Sequence, residues 1–107
     1  MVYMADSISL AVLENLVHMS REDYPKGYIV LSATIPDYLA VVDLVASPGS
    51  TSTVGDFWFD AGKSAAARVS SAVVPGEFNY LLNPTHSDFS RLLIDVGTFV
   101  FDPRLFG

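Results

Sequence analysis

Apolar and polar positions along the chain follow two rhythms, one helical and one alternating. Val2-Tyr3-Met4 is a short apolar run, followed by Asp6-Ser7, so a strand fragment and then a helix N-cap are predicted. From Ile8 to Met19 the spacing is helical: Ile8, Leu10, Val12, Leu13, Leu16, Val17 and Met19 cover more than half of a helical wheel. So apolar a helix is expected to be mostly buried, with Leu13 and Leu16 in the core, and to be the longest helix of the fold. The stripe left over is narrow and holds Ser7, Ala11, Glu14 and His18. Glu14 and His18 lie four residues apart and so share a face, which either meets water or lines a cleft.

Arg21–Gly27 reads as a polar loop closed by a Pro-Gly turn. Tyr28–Ile35 is rich in β-branched residues and predicts a strand, stopped by Pro36-Asp37. Tyr38–Ala46 fits either helix or strand, with a strand preferred for its first half. Ser47–Thr53 is the clearest loop and a candidate flap beside a site. Val54–Ala61 predicts a short helix with a Ser or Thr cap, Trp58 inward and Gly62 at its end. Ala65–Val74 returns to strand, with a turn at Pro75-Gly76. Phe78–Leu82, Leu92–Val96 and Thr98–Phe101 predict further short strands. The expected fold is α+β: one compact domain of short mixed strands around one long helix.

Composition changes this picture in one respect. Half of the 107 residues are hydrophobic and 17% are charged, which is apolar for so small a domain. Some apolar surface is therefore expected to be covered by a partner chain, a second copy or a further segment. The net charge of −6 and the scattered basic residues Arg21, Lys26, Lys63, Arg68, Arg91 and Arg104 argue against nucleic acid, whose phosphates need clustered cations. The absence of cysteine excludes disulfides and thiolate metal sites, and two isolated histidines do not make a metal site. No apolar run reaches the roughly 18 residues of a membrane span, and no signal peptide is visible, so a cytoplasmic protein is expected.

Common catalytic spacings are missing: there is no G-x-G-x-x-G, no P-loop and no G-x-S-x-G. Polar residues do interrupt the apolar runs of the last third, at Ser70-Ser71, Asn79, Asn83-Pro84 and His86. Polar groups so placed must find partners. Asn83-Pro84 suits a turn, and Asn79 suits a bond to its own backbone. Ser71 has no base apparent in sequence, which leaves a spatial partner open. By residue type, Tyr3, Glu14, Ser71 and Asn79 are the polar groups that could converge on one site.

Six landmarks carry a resemblance to a known family. They are Val2-Tyr3-Met4-Ala5, Leu10-Ala11-Val12-Leu13-Glu14 with His18, Gly55-Asp56-Phe57-Trp58, Val69-Ser70-Ser71-Ala72, Asn79-Tyr80-Leu81-Leu82-Asn83-Pro84 with His86, and Phe101-Asp102-Pro103-Arg104-Leu105. In this order and spacing the chain resembles the RES domain family, toxins of bacterial toxin–antitoxin pairs encoded beside an Xre-type antitoxin. The resemblance covers residues 2–105 and implies a fold similar to that of ADP-ribosyltransferases. It implies NAD as substrate, with no separate cofactor, and cleavage of the nicotinamide–ribose bond by phosphorolysis, hydrolysis or ADP-ribosyl transfer. It further implies that Tyr3 packs against or positions the nicotinamide ribose, that Glu14 stabilises an oxocarbenium-like transition state or activates the acceptor, that Ser71 bonds the nicotinamide side, and that Asn79 is a further cleft residue binding NAD. The chain departs from the family in having Ser70 where a proline is usual. The family also carries, ahead of the strand holding Tyr3, arginines that grip the NAD phosphates. None of that segment is in this sequence, so residues 1–107 are expected to form a domain N-terminally truncated relative to the family. Two functions follow as expectations: an NAD-consuming toxin, or an inactive RES-like module that binds an antitoxin or itself.

Overall fold

Every strand of the central sheet starts from an apolar run that a polar or glycine-containing turn interrupts. The computed structural model describes residues 1–17, 27–45, 50–100, 102 and 104. The expectations for His18 and Met19, for the loop before Gly27, for Ser47–Gly49, and for Phe101, Pro103 and Leu105 lie outside the described residues. Elements run β1 (Val2–Ala5), α1 (Ile8–Leu16), β2 (Gly27–Thr34), β3 (Val41–Asp43), α2 (Thr51–Ala61), β4 (Ala66–Ser70), β5 (Phe78–Leu82), a 3-10 helix (Ser87–Arg91) and β6 (Leu93–Val100). The α+β class is as expected, in one compact domain with, among the described residues, two α-helices and two sheets.

The larger sheet has the order β1-β5-β4-β3, with β3 parallel to β4 and the other pairs antiparallel. Directly opposed residues share a face. Register therefore puts Tyr3, Ala5, Leu81, Asn79, Ala67 and Val69 on one face. α2 covers that face: Trp58 packs with Ala67, Val69 and Leu81. The helix approaches closely because residue 55 is glycine, where an added Cβ would sit 3.2 Å from Leu81 Cδ1. Gly62 ends α2 in the left-handed conformation at φ 62°, as its position after the apolar run predicts. The opposite face holds a second cluster, Ala66, Leu82 and Leu92, packed with Met4 and Phe89.

Three expectations are corrected. α1 is not the longest of the described helices: it stops at Leu16 with its C-cap at Val17, and the 11-residue α2 is longer. Leu13 is 44% exposed and Leu16 half-buried, whereas Leu10 is the buried residue of α1. The reason is position: a helix beside an edge strand has a neighbour on one side and solvent on the other. Leu92–Val96 and Thr98–Phe101 are not two strands, because Leu93–Val100 continue as one, β6, through Gly97.

Among the described residues β6 pairs only with β2, antiparallel from Gly27↔Val100 to Thr34↔Leu93. One face of this ribbon carries Ile29, Leu31, Ile94 and Val96, each more than half exposed. Part of the apolar excess read from composition is thus exposed on a two-stranded ribbon. No helix among the described residues is long and apolar enough to cross a membrane.

The Trp58 core depends on a polar relay. Trp58 Nε1 donates to Ser64 Oγ at 2.8 Å, and Ser64 Oγ donates to Ala66 O at 3.0 Å, all buried. Ser64→Ala strands the indole N–H without an acceptor, which costs about 1–3 kcal/mol. A urea titration followed by the fluorescence of Trp58 should show a lower midpoint; an unchanged midpoint would mean the relay contributes nothing.

Candidate active site

Tyr3, Glu14, Ser71 and Asn79 are separated by up to 76 positions in sequence, and they meet in one hydrogen-bonded cluster. Each arrives by a different route. Tyr3 and Asn79 share a sheet face, since Asn79 opposes Ala5 and Tyr3 lies two residues before it. Ser71 follows the end of β4, where its N–H donates to Glu77 O at 2.8 Å and opens the turn into β5. Glu14 comes from α1, which starts right after β1 because Ser7 Oγ accepts the Leu10 N–H at 3.1 Å.

The geometry centres on Glu14 Oε1. It accepts from Ser71 Oγ at 2.8 Å and from Asn79 Nδ2 at 2.9 Å. Asn79 Nδ2 also donates to Tyr3 Oη at 3.1 Å. Ser71 Oγ in turn accepts the backbone N–H groups of Val73 and Val74, both at 3.1 Å. Asn79 is 1% exposed and Ser71 9%, Glu14 is half-buried, and Tyr3 is 55% exposed at the rim. Among the described residues, Oε2 of Glu14 accepts no hydrogen bond.

Both donors on Glu14 are neutral. Among the described residues no arginine or lysine joins them, so these donors orient the carboxylate without cancelling its charge. The described arginines are engaged elsewhere. Arg68 lies on the opposite sheet face, 2.7 Å from Asp43 and 4.2 Å over the Phe78 ring, and the Asp43 carboxylate holds it above its ordinary pKa. Arg91 lies 3.4 Å from Asp88. Arg104 pairs with Asp102 at 2.6 Å and holds that carboxyl below its usual range. No group of three His, Cys, Asp or Glu among the described residues is placed to hold a metal ion.

An apolar cleft of about 570 Å³ opens between β1, α1 and the β2–β6 ribbon. It is lined by Ile8, Ala11, Val12, Tyr28 and Phe99 among others, and of the four cluster residues it includes only Tyr3. Glu14 projects from a different side of α1, toward the sheet. The cleft lining holds no charged residue, whereas the polar cluster holds the Glu14 carboxylate.

The RES domain family matches residues 1–102. The chain belongs to the RES domain family. Toxin Res of Photorhabdus laumondii subsp. laumondii is 35% identical over 116 residues, covering 97% of this chain and 74% of that protein. Toxin Res of Yersinia enterocolitica is 34% identical, covering 97% of this chain and 76% of that protein. The Prs ADP-ribosylating toxin of a Sphingobium species is 30% identical, covering 97% of this chain and 73% of that protein.

In this RES domain, the backbone N–H groups of Val73 and Val74 are the participants that residue types alone do not reveal. Their signal is the Ser71 hydroxyl placed just ahead of the Pro75-Gly76 turn, which favours a serine bonding forward to nearby N–H groups. His86 stands apart from the cluster: its Nδ1 accepts the Asp88 N–H at 3.0 Å and caps the 3-10 helix. Asn83 likewise serves a turn, accepting from Thr85 N at 3.0 Å and Thr85 Oγ1 at 2.6 Å. Ser71→Ala removes one donor from Glu14 and the acceptor of two N–H groups, a loss of about 1–3 kcal/mol. Ser71→Thr keeps the hydroxyl and should lose less; equal urea midpoints for the two variants would show that the hydroxyl is not the stabilising group.

Proposed function

We propose that this chain is the toxin of a toxin–antitoxin pair and that it cleaves the nicotinamide–ribose bond of NAD, its substrate. The observation that carries the reading is the Glu14 carboxylate, held by neutral donors on one oxygen and, among the described residues, open on the other, in a RES-family chain with relatives named as toxins. An ADP-ribosyltransferase-like arrangement belongs to this reading, and a relative named as an ADP-ribosylating toxin favours it.

In the proposed reaction the bond between ribose C1′ and the pyridinium nitrogen breaks. Its electron pair goes to that nitrogen, so nicotinamide leaves neutral. Positive charge builds on the ribose, and a fixed carboxylate beside it lowers the barrier, more so where water is excluded. Phosphate, water or a protein side chain then adds to C1′ and gives up its proton. Tyr3 at the rim positions the ribose, Ser71 and Asn79 hold Glu14 and Tyr3 in place behind it, and the reaction runs in the cytoplasm. A partner of the Xre antitoxin type, or a second copy of the chain, covers the exposed β2–β6 face, on which Ile29 is 73% exposed.

A second reading is a binding module without turnover. It is favoured by the described arginines, each paired with a carboxylate, and by a net charge of −6, which leave little to hold a pyrophosphate.

Incubation with NAD and phosphate, following nicotinamide release, separates the two. Glu14→Gln keeps the shape and removes the charge, and should slow release by about 10²–10³-fold. Equal release by the two proteins would sink the role of Glu14. No release by the native chain, with antitoxin binding intact, would favour the binding module. Light scattering at micromolar concentration should show a species heavier than 11.6 kDa; a clean monomer without antitoxin would count against self-association.

A further inference from the structure

The cluster has a direction. Ser71 has one hydroxyl hydrogen and two lone pairs. Val73 and Val74 N–H occupy the lone pairs, so the hydrogen is committed to Glu14 Oε1. Ser71 is thereby saturated. Asn79 is constrained in the same way: turning its amide over would set Oδ1 against the Glu14 carboxylate. Its two amide hydrogens therefore go to Glu14 and Tyr3, while Oδ1 is buried without a hydrogen-bond partner among the described residues. An orphaned buried acceptor is costly, and native folds keep few of them. With its oxygen already accepting from Asn79, the Tyr3 phenol turns its own hydrogen away from the cluster.

We propose that Ser71 and Asn79 are positioning residues that set one direction for the whole cluster, leaving the Tyr3 O–H as its outward donor and Glu14 Oε2 as its outward acceptor. This rests on the NAD-cleaving reading and refines it. The ligand group beside Tyr3 is an acceptor oxygen, and the group beside Glu14 is a hydroxyl donor or a developing cation. A ribose supplies both, through its hydroxyls and its C1′ centre. Ser71 and Asn79 act on the ligand only through Glu14 and Tyr3.

Asn79→Asp tests the direction, since it is isosteric but donates nothing when ionised. The titratable partners of position 79 are Glu14 of α1 and Tyr3 of β1; its β4 neighbour is Val69. The folded variant sets two carboxylates together and so retains a proton more readily than the unfolded chain, whose carboxylates titrate near about pH 4. Stability from that shared proton is present at low pH and lost as pH rises through the range above. The expected result is a urea midpoint well below the native one at about pH 7 and close to it at about pH 4.5, with the pH-dependent gap abolished in a Glu14→Gln background. A gap that does not vary with pH, or that survives Glu14→Gln, would overturn the proposal and leave Asn79 as packing. Nicotinamide release gives the second arm. Asn79→Asp and Ser71→Ala should lower kcat with KM nearly unchanged, and Tyr3→Phe should raise KM; a raised KM for Ser71→Ala instead would mean Ser71 touches the ligand. If the native chain releases no nicotinamide, the NAD reading fails by itself, and the urea series still decides whether Asn79 positions Glu14.

Discussion

The site depends on one constraint: a carboxylate brought to the end of a sheet must be satisfied there without being neutralised. Glu14 meets it through two uncharged donors on a single oxygen. Burying a charge is expensive unless it is hydrogen-bonded. A cationic partner would remove that expense and the negative potential together. The amide and hydroxyl found here stabilise the carboxylate and keep its field directed outward. The orphaned Oδ1 of Asn79 is the local cost of that arrangement.

The rest of the fold serves this geometry. The β4–β5 hairpin brings Ser71 and Asn79 to the same end of the sheet, with its turn closed by Glu77 N–H on Val74 O at 3.2 Å and by Gly76 at φ 86°. The edge strand β1 contributes Tyr3 and launches α1 from Ser7, so the helix reaches the sheet end with Glu14 in its second turn. α2 seals the same face through Trp58, close enough that residue 55 has no room to spare for a side chain. The polar cluster therefore rests on a packed apolar base of Ala67, Val69 and Leu81.

Two overlapping apolar features lie away from the cluster, the cleft beside α1 and the exposed face of the β2–β6 ribbon, whose Ile29, Leu31 and Ile94 also line that cleft. Both follow from the same topology. A two-stranded ribbon is covered only in part: Ala33 packs against the Ala66, Leu82 and Leu92 cluster, while Ile29, Leu31 and Ile94 on the same face border the open cleft. α1 has the same problem at the sheet edge, which is why Ile8, Leu13 and Val17 stay exposed although their spacing is that of a buried helix.

Local elements were legible in the sequence because their signals are local. The Ser7 cap, the Gly62 terminator, the β-branched run of β2 and the inward Trp58 each depend on a few neighbouring residues. The residue types of the cluster were legible too, as polar groups set inside apolar runs. Hydrophobic periodicity reports which face of α1 is apolar, but not whether anything lies against it, so Leu13 and Leu16 were placed in a core that the edge position does not provide. Strand pairing between β2 and β6, from Gly27 to Val100, is a long-range choice that neither segment announces. The cluster itself is of this kind. Glu14 and Asn79 lie 65 positions apart, and which oxygen is held, which hydroxyl is saturated and which amide face is orphaned are decided by distances of about 3 Å that only the assembled sheet and helix set.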